Sequence, residues 1–148
     1  MELITCSAIV SYFTKVEKDV ANLYEKLAET FPEHKETFLT MEKESKSNIV
    51  LLERSYYGVI SDKLEACFIK QLNTDNYNIE VYVPSSFRLS EALEKVITME
   101  ENIQRFVSDA AKSISALVPD VSWTLSRVSK KRTDRINKLK ALRQEINK

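Results

Sequence analysis

Apolar residues recur along this chain at helical spacing in four long segments. In the first, about Thr5 to Thr30, Phe13, Glu17, Val20, Tyr24 and Leu27 share a face, with Ile9, Val16 and Leu23 beside them. Thr30-Phe31-Pro32-Glu33 then breaks the pattern: Thr30 and Glu33 have capping-box spacing, and Pro32 suits a first helical turn. The second segment, about Pro32 to Tyr57, has the stripe Phe38, Met41, Ser45, Asn48 or Ile49, and Leu52, and ends before Gly58. The third follows Ser90, a favourable N-cap, and runs to about Leu117 through Leu93, Val96, Glu100, Ile103, Val107, Ala110 and Ile114. After a turn at Val118-Pro119-Asp120 the fourth continues to near the C-terminus, with Leu125, Val128, Arg132, Arg135 or Ile136, Leu139 and Leu142.

The turns at Pro32 and Pro119 are short, so each helix pair must be an antiparallel hairpin. The pattern predicts one domain over residues 1–148: a hairpin at about 5–57, a crossover at about 58–89 and a second hairpin at about 90–147. Within the crossover, Ser61 to Leu72 reads as a short helix and Asn76 to Val83 alternates as an extended chain does. The hairpins resemble each other. Glu17 and Glu100 fall in equivalent places, and Phe38, Met41, Ile49 and Leu52 recur as Leu125, Val128, Ile136 and Leu139. This weak repeat predicts pseudo-twofold symmetry.

Composition narrows the chemistry. One glycine in 148 residues excludes glycine-rich phosphate loops and dinucleotide-binding turns, which need several residues without a Cβ. One histidine, His34, excludes any two-His metal site within one chain, and its place before the second helix makes it a solvated turn residue. Cys6 and Cys67 form no CxxC and read as two reduced, buried thiols rather than a disulfide. No stretch approaches a membrane span, and Met1 to Phe13 lacks the basic start of a signal peptide, so a cytoplasmic location without membrane partners is expected.

Lys plus Arg and Asp plus Glu each number 22, but the charge is uneven: Arg127 to Arg143 holds eight basic residues and one acid, Asp134. Arg127, Lys130, Lys131 and Lys138 would make an outward stripe. With no nucleic-acid-binding motif and no interleaved aromatics, this stripe reads as a solvated face paired with acids such as Glu42, Glu44 and Glu53 rather than as a nucleic-acid surface. Trp123, Phe106, Tyr56, Tyr57 and Phe68 read as core or interface anchors. No Ser or Cys has a paired base, since His34 is remote from both cysteines in sequence. Ile79 to Val83 is expected to pack along the bundle, with pairing to a second copy as the alternative.

The chain resembles the rubrerythrin branch of the ferritin-like superfamily. The first helix has Glu17-x6-Tyr24 in EKDVANLYEKLAE; the second reads TFLTMEKESKSNIVLLE, and the third LSEALEKVITMEENIQRFV. The resemblance covers both hairpins and implies an all-α, ferritin-like four-helix bundle with one long crossover. It also implies a core di-iron site, with one Glu from each of two helices and a Glu-x-x-His from each of the other two. Glu17 and Glu100 match the single Glu positions. Ser45 and Asn48 stand where the second helix should carry Glu and His, and Arg132 and Arg135 stand in the equivalent places on the fourth, so four of six ligands are replaced. A register one residue earlier would bring in Glu44 and Ser47, and Lys131 and Asp134, but those faces are polar and read as solvent faces.

The expectation is a buried network of Glu17 and Glu100 against Arg132 and Arg135, with Ser45 and Asn48 satisfying what remains. The plain alternative has both arginines snorkelling to solvent and both glutamates at the core margin. The function expected is that of a non-catalytic, structural or interaction protein without a cofactor, as a homodimer or with an unidentified protein partner. The alternative keeps altered iron binding and a role in iron or oxidative-stress handling.

Overall fold

The computed structural model describes residues 1–57, 68–114 and 118–147. The order is strand β1 (Glu2–Thr5), helix α1 (Cys6–Thr30), a 3-10 turn (Pro32–His34), helix α2 (Lys35–Tyr57), strand β2 (Phe68–Asn73), a second 3-10 turn (Thr74–Asn76), helix α3 (Leu89–Ile114) and helix α4 (Pro119–Ile146). Local chemistry sets the helix starts. Thr5 is extended, and its hydroxyl accepts from the Ala8 N–H at 3.1 Å, satisfying one orphan donor of α1. α3 starts one residue before Ser90. Its cap is Arg88, whose carbonyl accepts from the Ala92 N–H and whose own N–H donates to Glu91 Oε1 at 3.2 Å. Ser90 is therefore inside the helix. The Thr30–Glu33 box does not form either: the Thr30 hydroxyl donates back to the Lys26 carbonyl, and the Phe31 N–H closes α1 on Leu27.

Side-chain pairs give the helix directions. Phe38 packs on Tyr24 and Phe31 near one end of α1, and Asn48 bonds Glu17 further along, so α1 and α2 are antiparallel. Ser122 bonds the Ala111 carbonyl, Gln104 reaches Thr133 and Arg143 reaches Glu94, so α3 and α4 are antiparallel too. α1 lies beside α2 and α3, and α4 beside α2 and α3. Tyr12 meets Phe106 and Tyr24 meets Glu100, so α3 also runs opposite to α1. Exchanging α1 with α3 and α2 with α4 preserves this arrangement, as the internal repeat anticipates.

Since α2 and α3 point the same way, the chain between them must travel the bundle's length. It does so along α3: Tyr77 Oη donates to Asp109, Asn102 donates to the Asn78 carbonyl, and Glu80 pairs with Lys95. Tyr77 is buried and Ile79, Val81 and Val83 are half-buried, while Asn78, Glu80 and Tyr82 are exposed. The alternation is thus used to pack along the bundle, without a strand in that segment.

The all-α reading is modified at one end. β1 and β2 pair antiparallel, with Glu2 opposite Asn73 and Leu3 opposite Leu72. The short helix expected over Ser61 to Leu72 is replaced by strand from Phe68 onward; residues 61–67, including Cys67, lie outside the described residues, as do Gly58 and 115–117. A short apolar run carries no period that separates helix from strand, and pairing with β1 decides it. Leu3, on β1, turns its side chain into the core and is buried.

The core follows the four stripes, including Phe13, Val20, Leu93, Ile103, Val128 and Leu139. Phe106 is buried, with Tyr12 and Tyr77 edge-on at 5.0 and 5.4 Å. Tyr56 is buried as expected, but Trp123 is 63% exposed, with Arg127 stacked on it. The side chains of Tyr57 and Phe68 lie outside the described ones. Among the described residues, no helix is long and apolar enough to cross a membrane.

Candidate functional site

Each apolar stripe is interrupted by polar side chains at the same depth in the bundle. α1 contributes Glu17 and α3 contributes Glu100. The i, i+3 pairs Ser45/Asn48 and Arg132/Arg135 come from α2 and α4, where that spacing keeps both members on one face. All six are buried; Arg132 and Arg135 are only 1% and 2% exposed. The snorkelling alternative is thereby excluded.

Arg132 joins the two carboxylates. Its Nη2 donates to Glu17 Oε1 at 2.6 Å and its Nε to Glu100 Oε2 at 2.5 Å. Asn48 Nδ2 donates to Glu17 Oε2 at 2.7 Å. Tyr24 Oη and Arg135 Nη1 donate to Glu100 Oε1 at 2.5 and 3.0 Å. Every oxygen of both buried carboxylates therefore accepts a hydrogen bond. The Arg135 guanidinium also lies over the Tyr24 ring at 5.4 Å.

Two members escaped the sequence reading. Glu44, assigned above to a solvent face, accepts from Arg135 Nε and Nη2 at 3.0 and 2.7 Å, and its side chain is only 32% exposed. The face was judged by its neighbours, whereas the long Arg135 side chain carries its donors to the rim. Tyr24 shares the face of Glu17, and that spacing was its available signal. Ser47 and Asp134, from the rejected register, are exposed.

Electrostatics follow from this geometry. Burial pushes the Glu100 carboxyl up, but Arg132 and Arg135, with the Tyr24 and Arg132 hydrogen bonds, outweigh it and hold the pKa at about 2. Burial would lower both arginines, yet the surrounding carboxylates raise them, so both stay charged. Tyr24 is raised well above the ordinary phenol by burial and by the charge of Glu100, so it remains a donor. Four charges balance two against two inside the bundle, with Glu44 at the solvent edge. There it lines, with Thr40, Met41, Arg135 and Lys138, a cleft of about 250 Å³ between α2 and α4.

His34 is half-buried at the tip of the first hairpin, and Cys6 is buried at the start of α1. Of the acids expected to pair with the basic stripe, Glu42 pairs with Lys46 on its own helix, and Glu44 pairs with Arg135 of α4 and shares a cleft with Lys138. Besides the buried Glu100, α3 sends two surface acids to α4: Glu94 to Arg143 and Glu101 to Lys140. Among the described residues, no three His, Cys, Asp or Glu side chains are grouped to hold a metal ion. Comparison with protein families, curated protein sequences and solved structures finds no match to this chain.

Proposed function

We propose that this chain is a non-catalytic, ferritin-like protein related to the rubrerythrins, with a structural or interaction role, in which a Glu–Arg network stands where such proteins hold two iron ions. The observation carrying this reading is the Arg132 guanidinium, placed between Glu17 and Glu100 at hydrogen-bonding distance from both. These residues do not fit a di-iron centre. A fixed cation occupies the space between the carboxylates, and every oxygen of Glu17 and Glu100 is already engaged. The remaining positions offer Ser45, Asn48 and Arg135, which include no carboxylate or imidazole. Glu100 is a poor general base, since Arg132, Arg135 and Tyr24 hold its carboxyl well below the ordinary range.

Adding iron(II), manganese(II) or zinc(II) to purified protein, then desalting, is expected to leave no stoichiometric metal and an unchanged melting temperature. Retained metal in a fixed ratio to protein, with a raised melting temperature, would overturn the proposal, because a ligand that binds only the folded state must stabilise it.

A further inference from the structure

Three buried polar atoms of the network have no hydrogen-bond partner among the described residues: Arg132 Nη1, Ser45 Oγ and Asn48 Oδ1. Such atoms are rare in folded proteins, because each forfeits the bonds it made to water in the unfolded chain. Two of them belong to side chains that bond one carboxylate, and the third shares a helix face with one of those. Arg132 and Asn48 bond opposite oxygens of Glu17, and Ser45 lies one helical turn before Asn48 on the same buried face of α2.

We infer that these three atoms form a binding site for a single internal water molecule between α2 and α4.

The chemistry of the three atoms selects this occupant. Arg132 Nη1 offers only N–H donors on a positive group, which repels a cation. Asn48 Oδ1 offers only lone pairs, which repel an anion. Its orientation is fixed, since turning the amide over would set the carbonyl oxygen against Glu17 Oε2 in place of the 2.7 Å N–H bond. Ser45 can donate or accept. A small neutral molecule that both donates and accepts suits all three, accepting from Arg132, donating to Asn48 and exchanging a third bond with Ser45. Three bonds are what a buried water ordinarily makes. Ser45, whose hydroxyl makes no bond among the described residues, thereby acquires a role. The inference rests on the hydrogen bonds of the network alone and stands whether or not the chain shares ancestry with iron proteins.

A crystal structure of the full chain at water-resolving resolution, with a second crystal soaked in bromide, tests it. One ordered peak is expected within about 2.7–3.2 Å of all three atoms, without bromide anomalous signal there. In Ser45→Val, which fills the space with methyl groups, the peak should vanish, and oxygen-17 relaxation should lose one long-lived water. Direct pairing of Ser45 with Arg132 or Asn48 and no peak between them would overturn the inference, as would bromide at the position. Should the valine variant fail to fold, the wild-type crystals decide alone.

Discussion

Replacing Arg132 with methionine is expected to destabilise the protein by roughly 3–5 kcal/mol, because it strands buried charge rather than merely deleting a contact. In a domain of this size that corresponds to a fall in Tm on the order of 10 °C. Methionine retains most of the stem volume, so a cavity is not the main loss. What changes is that Glu17 loses its cation and keeps only Asn48, while Glu100 keeps Tyr24 and Arg135. Adding Glu17→Gln to Arg132→Met should recover part of the loss, since the amide needs no counter-charge. Chemical unfolding of the wild type, both single variants and the double variant measures this coupling; strictly additive losses would sink the idea of a mutually dependent pair. The intact network need not contribute much net stability. Buried ion pairs roughly break even against apolar packing, and the penalty appears when one member is removed.

The second large effect lies on the acid side. Glu100 has a folded pKa of about 2 against an ordinary value of 4.5, so the folded state binds its proton less readily than the unfolded state does. The stability it confers is therefore fully present above about pH 5 and is lost as pH falls from 4.5 towards 2. A shift of that size amounts to about 3 kcal/mol. Unfolding free energy followed from pH 7 to pH 2 should fall steeply over this window in the wild type. Glu100→Gln should start from a lower stability and show a shallower fall. Equal slopes in the two proteins would mean that the acid limb arises elsewhere, for example in the surface pair of Glu94 with Arg143.

The strong signals in the sequence were the long ones. Twenty or more residues of helical period indicate which face of each helix turns inward, and that puts Glu17, Ser45, Glu100 and Arg132 on the inner faces, while Asn48 or Ile49 and Arg135 or Ile136 stay open by phase alone. The side of α4 could also have excluded Trp123, which falls out of register with Val121, Leu125 and Val128; its exposure follows from phase, although its size suggested a core anchor. Glu44 was not legible, because a face assigned from Cα phase ignores how far an arginine reaches. The β1–β2 ribbon was hidden for another reason: its partners are about seventy residues apart, and neither strand is long enough to show a period. Ser90 and Thr30 show the limit of capping patterns, where Glu91 and the Lys26 carbonyl competed successfully.

The span of the Arg132–Glu17 bond has a kinetic meaning. It joins residues 115 positions apart, whereas the contacts inside each hairpin close after far fewer. Each hairpin can form on its own local contacts, but this bond requires both hairpins to be docked with their helices in final register. Arg132 also bonds Glu100 within its own hairpin, so only the part of its loss that exceeds that local bond should leave the folding rate unchanged and speed unfolding, visible in the unfolding limb of a denaturant series. The core charges would then act chiefly as a latch, setting how long the two hairpins stay together once they have met.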